Sequence, residues 1–425
     1  MSFRKFLFEN EAVDGITGPS DYLYIKILRF TLDVIRSWPR KELGEPESAS
    51  FTVFMKYFYL VLTIATVVGS ILYVVVHVAE LSFLEAGLMY LIILMSFLDA
   101  LTVMSLTFSE KYRVLAKDFL TKIHLFYYKD RSKAAMEIHK KVHLISHLFS
   151  LWLLFQMLSG LSLFNLTPMY SNLAAGKYKR GGLGNTTFEH SLYYLYPFNT
   201  STDVFGYIVA CILHWIISYL CSTWFCMFNL FISLMVFNLW GHFKILIITL
   251  EEFPIPKSIG TLQSAYKYSQ EELLEVAEKL KDCINYHRVI KNFTNRMSDV
   301  FGPMLFVYYS FHQASGCLLL LECSQMTAQA LMRYLPLTII LTQQLIQLSV
   351  IFELVGSESE KLKDAVYSVP WECMDTKNRK MVRFFLMNVQ EPIHVKAMGI
   401  ANVGVTTMAA ILKTSMSYFT FLRSM

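Results

Sequence analysis

Residues 204–243 read VFGYIVACILHWIISYLCSTWFCMFNLFISLMVFNLWGHF, forty consecutive positions without an Asp, Glu, Lys or Arg. A run of that length and composition is read against lipid rather than water. As one helix it would extend ~60 Å, twice the hydrocarbon thickness of a bilayer. Part of it must therefore be shielded by protein or project beyond the membrane.

Six further apolar stretches accompany it: Tyr57–Ala79, Ala86–Phe108 (interrupted by Asp99), Val142–Pro168, Val300–Leu321, Tyr334–Phe352 and Ala397–Leu422 (interrupted by Lys413). Each is near the ~20 residues that a spanning helix needs, and Leu, Met and Phe without turn signals argue against barrel strands. Only 17% of the chain is charged, against roughly 25% for a soluble domain. The expected fold class is an all-α membrane protein with seven transmembrane helices.

Basic residues near span ends are retained on the cytoplasmic side, so Lys and Arg orient the chain. Residues 1–55 hold seven, Ser109–Lys141 nine, Gly241–Met297 eight and Gly356–Lys396 seven. The alternate connectors hold none between Glu80 and Glu85, three in 165–203 (Lys177, Lys179, Arg180), Arg333 alone in the third, and Lys413 and Arg423 at the end. This alternation predicts a cytoplasmic amino terminus and an extracellular carboxyl terminus, opposite in sense to a seven-helix G-protein-coupled receptor. The glycosylation sequons at Asn185 and Asn199 fall in the outer segment 165–203 and agree with that sense. Asn165, next to Pro168 at the membrane edge, is a poorer acceptor, and Asn292 lies inside. Residues 1–21 lack a continuous apolar core and carry four acids, so no cleavable signal peptide is expected.

The seven cysteines give no disulfide framework, because most lie in the apolar stretches or on the inner side. The net charge of +5 is absorbed by the inner connectors, which leaves a nucleic-acid partner nothing to rest on. Catalytic signatures are missing: there is no Gly-x-Ser-x-Gly elbow, no Walker loop and no His-Glu-x-x-His. The chain is not expected to be an enzyme, and no cofactor or metal is expected. His139, His143 and His147 share a helix face, yet the carboxylate or Cys that usually completes a metal site is not marked nearby. Asp99, a carboxylate at membrane depth, is expected to be hydrogen-bonded or to take part in gating.

Between the spans, Ser269 and Glu272 form a capping-box pattern ahead of Leu273, Val276, Ala277, Leu280, Ile284 and His287 at helical spacing. Ser357 and Glu360 read as a second capping box. Pro370 turns the chain, and Asp375 or Thr376 starts a helix running to about Val389 before Pro392. The expected organisation is a cytoplasmic segment 1–56, helices one to six within 57–355 with the outer loop 165–203, a cytoplasmic anchor region 241–298, a cytoplasmic segment 356–396 and a last helix in 397–425.

Several of these residues resemble a known family. The run Gln390-Glu-Pro392 followed by AILKTSMSYFTFL at 410–422 is similar to the signature last helix of insect odorant receptors. The segments LWGHFK at 239–244, EEFPIP at 251–256 and PWECMD at 370–375 look like the moth sex-pheromone receptor group. Rhodopsin-type motifs are missing. The resemblance implies a receptor subunit of a ligand-gated nonselective cation channel in the plasma membrane of olfactory sensory neuron dendrites. It also implies a hetero-tetramer with the olfactory co-receptor, cytoplasmic helices forming a shared anchor, and seventh helices lining one pore.

The last helix carries a stripe Ala410, Thr414, Ser417, Phe421, Ser424 and a neighbouring stripe Ile411, Ser415, Tyr418, Leu422, Met425. The first is the better water-lined face, with Phe421 as an apolar constriction that gates by dewetting. The family pattern places its apolar gate on Phe421 and its narrow polar position on Ser424; Phe421 departs from the smaller aliphatic residue of the co-receptor-like pattern. Lys413 is a charge within the apolar run, either functional or snorkelling.

The family pocket lies among helices 2, 3, 4 and 6 in the outer half of the membrane. Candidates there are Tyr90, Leu91 and Met95 on helix 2; Phe155, Gln156, Ser159 and Gly160 on helix 3; Phe205, Val209, Ile212 and Trp215 on helix 4; and Tyr334, Leu337 and Thr338 on helix 6. A small volatile, lipid-like ligand wants an apolar slot with one or two hydrogen-bonding groups, for which Gln156, Ser159 or Thr338 qualify. Two other classes compete: a gustatory-type channel that assembles without a co-receptor, and a secondary transporter. A transporter predicts matching halves with broken helices, whereas the breaks expected at Gly302-Pro303 and Pro336 have no counterparts in the first half.

Overall fold

The computed structural model describes residues 15–46, 49–79, 81, 83–179, 186–257 and 267–424. Among them, ten α-helices follow in chain order: α1 Leu23–Val34, α2 Ala49–His77, α3 Phe83–Thr102, α4 Glu110–Asp118, α5 Lys133–Ala174, α6 Val204–Glu251, α7 Gln270–Cys323, α8 Ala328–Tyr367, α9 Thr376–Asn388 and α10 Val405–Ser424. Helices α2, α3, α5, α6, α7 and α8 are long and apolar enough to cross a membrane. The seventh apolar stretch becomes α10, whose twenty residues hold seven Ser and Thr hydroxyls and Tyr418 besides Lys413.

The forty-residue run is one uninterrupted helix within α6, started by the Asp203 carboxylate accepting from Gly206 N at 2.8 Å. Its first part presents Phe205, Ile208, Ile212 and Ile216 on an exposed stripe at spacings of three and four. Its second part is buried on every side from Thr223 to Leu239. There α1 and α5 pack on it together with α8, Tyr112 brings its ring to Phe228 and Phe231 at centroid distances of 5.8 and 6.1 Å, and Phe119 meets Phe231 at 5.9 Å. The second part of the run is thus covered by the protein itself.

The expected anchor helix is continuous with the fifth span. Ser269 and Glu272 form the capping box that starts α7, and the helix then runs 54 residues through Pro303. Two expected breaks are therefore corrected: α7 passes Gly302-Pro303 and α8 passes Pro336 without ending. A proline removes one intrahelical donor, and packed neighbours hold the remaining turns. The second capping box is corrected too. Ser357 sits inside α8, its hydroxyl donating to Leu354 O at 3.3 Å, because Phe352, Val355, Leu362 and Val366 continue one buried face through it.

Asp375 does cap α9, accepting from Asn378 N at 3.0 Å, and Asn378 Nδ2 ties the helix to Leu273 O of α7 at 3.0 Å. After α9 a short antiparallel hairpin, β1 Lys396–Ala397 with β2 Ala401–Asn402, occupies the start of the seventh stretch, so α10 begins at Val405 rather than Ala397. Met398 and Gly399 turn it with φ of 50° and 71°. Gly302 lets the hairpin backbone lie directly on α7, since a Cβ there would meet Lys396 O at 2.9 Å. Helix α10 then packs along α7 and α8, and its first free N–H, at Val405, is taken by the Glu353 carboxylate of α8 at 3.0 Å.

Candidate functional site

Long amides in an apolar helix are placed by whichever partner they find, because an unmet polar group in a medium without water is costly. Gln343 and Gln347 lie one turn apart on α8, and Trp152 and Gln156 lie one turn apart on α5. The four join in a ladder. Trp152 Nε1 donates to Gln347 Oε1 at 3.0 Å, Gln343 Nε2 donates to that same oxygen at 2.7 Å, and Gln156 Nε2 donates to Gln343 Oε1. Gln156 is only 8% exposed, and its Oε1 has no partner.

Gln343 also lines an open recess of about 350 Å³ together with Thr338, Ile339, Thr342 and Ile346. The hydroxyl of Thr338 is held locally, donating to Tyr334 O at 2.8 Å and lying 3.5 Å from Cys323 Sγ. Thr338 is thus at the recess, while Gln156, outside its lining, bonds from α5 to one of the lining residues, Gln343. That residue, Gln347 and Trp152 were not singled out from sequence. Their signal was the i, i+4 spacing of two amides in an uncharged run.

The other candidates divide by environment. Leu91 and Tyr334 are buried, and Met95, Ser159, Gly160, Val209, Leu337 and Trp215 are half-buried. Trp215 lines a crevice with Pro168, Tyr207 and Cys211 that is too tight for a water molecule. Tyr90, Phe155, Phe205 and Ile212 point off the fold, with Phe205 75% exposed. They are not gathered at the recess.

At the end of the bundle carrying the sequons, the connector 186–203 is sewn to the helices by polar groups. Asn165 is buried, donating to Ser218 Oγ at 2.8 Å and accepting from Ser191 Oγ at 3.1 Å. Asn199 is exposed, its side-chain oxygen accepting from Ser201 N and Thr202 N at 3.0 and 3.1 Å; Asn185 lies outside the described residues. His190 is buried against Tyr207 and donates from Nε2 to Thr200 O at 3.1 Å. Burial pushes its pKa down to about 4, only partly opposed by that carbonyl, so the ring is neutral at pH 7.

At the opposite, basic end, His139, His143 and His147 are all buried in a tyrosine-histidine stack: Tyr22 O–H meets His139 Nε2 at 2.8 Å and Tyr24 O–H meets His124 Nε2 at 3.0 Å. Desolvation holds the His124 ring well below its ordinary pKa, with the neighbouring histidines adding to it. Among the described residues no group of His, Cys, Asp or Glu is arranged to hold a metal. Asp99 is buried, with the Cys221 thiol bonded to its carboxyl group and Oδ2 without a partner.

On α10 the two stripes separate only in part, since Tyr418 of the second stripe is 55% exposed. Ile411 and Ser415 are buried, and Ser415 Oγ donates to Gln313 O of α7 at 3.2 Å. Thr414 is half-buried, while Ser417, Lys413 and Phe421 are exposed, Phe421 at 59%. The Thr414 and Ser417 hydroxyls bond back to Ala410 O and Lys413 O, so the turn before each is satisfied internally. The Ser424 side chain lies outside the described residues.

The sequence profile of the 7tm Odorant receptor family matches residues 88–416, which includes the ladder, the recess and most of α10. The chain belongs to the insect odorant receptor family. The receptor is similar to Odorant receptor 13a of Drosophila melanogaster, 27% identical over 161 residues, which are 35% of this chain and 38% of that one. To Odorant receptor 67a of the same fly it is 27% identical over 206 residues, 46% of each. The match thus spans less than half the length of these curated relatives. The fold is that of the insect olfactory receptor OR5 from Machilis hrabei, solved with eugenol and alone. TM-scores are 0.75 and 0.74 at 14% and 15% identity, covering 94% of this receptor and 97% of that chain. This is a membrane receptor family and not an enzyme family.

Proposed function

We propose that the receptor is the ligand-tuning subunit of a ligand-gated nonselective cation channel, assembled with the olfactory co-receptor and opened by a volatile long-chain aliphatic molecule. The observation that carries this reading is the division of α10. One stripe packs on α7 and α8, while the stripe of Thr414, Ser417 and Phe421 is left turned away from the chain's own fold. A stripe of hydroxyls with one aromatic fits the wall of a shared water path with an apolar constriction. Residues 397–425 hold no Asp or Glu, which favours weak cation selectivity.

The ligand class rests on two supports. Segments 239–244, 251–256 and 370–375 resemble the moth sex-pheromone group, and the recess on α8 is mostly apolar with few hydrogen-bonding groups. The charge alternation sets basic connectors toward the cytoplasm and Asn185 and Asn199 toward the lymph around a dendrite. Ligand-evoked currents should require the co-receptor; currents from this chain alone would favour a gustatory-type channel. Phe421→Ala should raise unliganded conductance severalfold in whole-cell recordings. Unchanged leak at normal surface expression would remove the constriction from that position.

A further inference from the structure

The turn between α1 and α2 holds an arginine where the backbone favours a glycine. At the end of α1, Ser37 N donates to Leu32 O at 2.8 Å and Arg36 N donates to Asp33 O at 3.1 Å. These are the paired bonds of a helix stop whose left-handed residue is Arg36, with φ of 55°. Glycine takes that conformation freely, whereas a Cβ crowds the neighbouring carbonyl. Strain of this kind directs attention to what the side chain does.

The guanidinium of Arg36 has no anion beside it. Residues 22–46 hold three carboxylates, and other arginines take them all: Arg40 binds Asp33 at 2.6 Å, Arg29 binds Glu45 at 2.9 Å and Arg113 binds Glu42 at 2.7 Å. Arg36 instead lies over the Phe51 ring, its Cζ 4.8 Å from the centroid. Its Nε is closed off without a partner, while Nη1 and Nη2 meet no acceptor among the described residues and are not enclosed.

The depth of this group is set by α2. The apolar span there begins at Ser50, so Phe51 stands in its first turn. Phe51, Phe54, Tyr57 and Phe58 are all exposed, an aromatic belt of the kind that marks the headgroup region of a bilayer. Phe30 of α1 is exposed as well, and Tyr59 O–H fastens α1 to α2 by donating to Val34 O at 2.8 Å. We propose that the terminal nitrogens of Arg36 bind the phosphate of an anionic phospholipid, held at the start of α2 with its acyl chains along the exposed aromatics. A planar fork of N–H donors matches two phosphate oxygens, and the nearby carboxylates are already neutralised. The site stands apart from the ligand recess and from the channel reading.

The test uses the full-length receptor purified in a neutral detergent, its thermal unfolding midpoint followed against phosphatidylserine, phosphatidylcholine with the same chains, or inorganic phosphate. Phosphatidylserine should raise the midpoint by about 2 °C or more, with less of it needed for half the effect than of phosphatidylcholine. Arg36→Gln should need about tenfold more phosphatidylserine for the same rise. Arg36→Gly relieves the left-handed turn, so its lipid-free midpoint should match or exceed that of the unaltered receptor while the phosphatidylserine rise is lost. An arginine with only a structural role would not give that pair of results. No phosphatidylserine rise in the unaltered receptor, an equal rise from both lipids, or a full rise in Arg36→Gly would overturn the proposal. A rise reproduced by inorganic phosphate alone would overturn the lipid as occupant, and its loss on assembly with the co-receptor would do so in favour of a partner's carboxylate.

Discussion

The two halves of α6 share a composition and not an environment. From Val204 to Ser218 the apolar residues alternate between the bundle and the outside, with Ile212 57% exposed; from Thr223 to Leu239 every position is buried. Neither half carries a charge, so charge does not separate them. What separates them is what surrounds each: the first half leaves an apolar side chain exposed on one face, whereas the second half has α1, α4, α5, α7 and α8 packed around it. An apolar run in a membrane protein reports dehydration, and only its length against the bilayer reports whether lipid or protein supplies it.

That contrast is broken or sharpened first by paired truncations. Phe231→Ala removes a ring that meets Tyr112 and Phe119 in the closed half and should cost ~3–5 kcal/mol, enough to abolish surface expression. Ile212→Ala, one helix face and five turns away, exchanges one lipid-facing aliphatic for another and should cost under ~1 kcal/mol in a thermal-shift assay on solubilised receptor. Equal losses would mean that both halves are packed by protein.

For protons the two ends of the bundle are alike, each burying histidines whose pKa desolvation lowers. His190, buried under the sequon-bearing connector, has a folded pKa of about 4 against an ordinary 6.5, so the unfolded chain takes up its proton first on acidification. Its contribution is present above pH 6.5 and is lost as the pH falls toward 4, by about 2 kcal/mol at pH 5. Thermal unfolding midpoints at pH 7 and 5 should show this drop, and His190→Asn should flatten it. An unchanged slope in that variant would place the sensitivity elsewhere.

Much of the plan was legible in the sequence because the solvent writes it there. The apolar runs, the Ser269–Glu272 box and the Asp375 cap each follow from a local rule and sit where those rules put them. The boundaries that failed did so because tertiary packing outweighs local punctuation. Pro303 and Pro336 do not end their helices, and Ser357 does not begin one, since a buried face runs through each. The start of the seventh stretch became a hairpin for a different reason: Met398-Gly399 turns the chain where hydropathy alone sees only apolar residues. Gln156 and Thr338 were visible singly, but the ladder needs α5 and α8 side by side, and no spacing within either helix encodes that.

A channel built as proposed exposes one face of α10 to water on opening and keeps the other packed. Cysteine placed at Ser417 and, separately, at Ser415 can be challenged with a charged thiol reagent during ligand-evoked current, with the unsubstituted receptor and its seven native cysteines as reference. Ser417→Cys should be blocked rapidly and only while ligand is present, and Ser415→Cys should resist the reagent as its neighbour Gln313 does not release it. Block at Ser415→Cys with none at Ser417→Cys would contradict the assignment of the water-facing stripe.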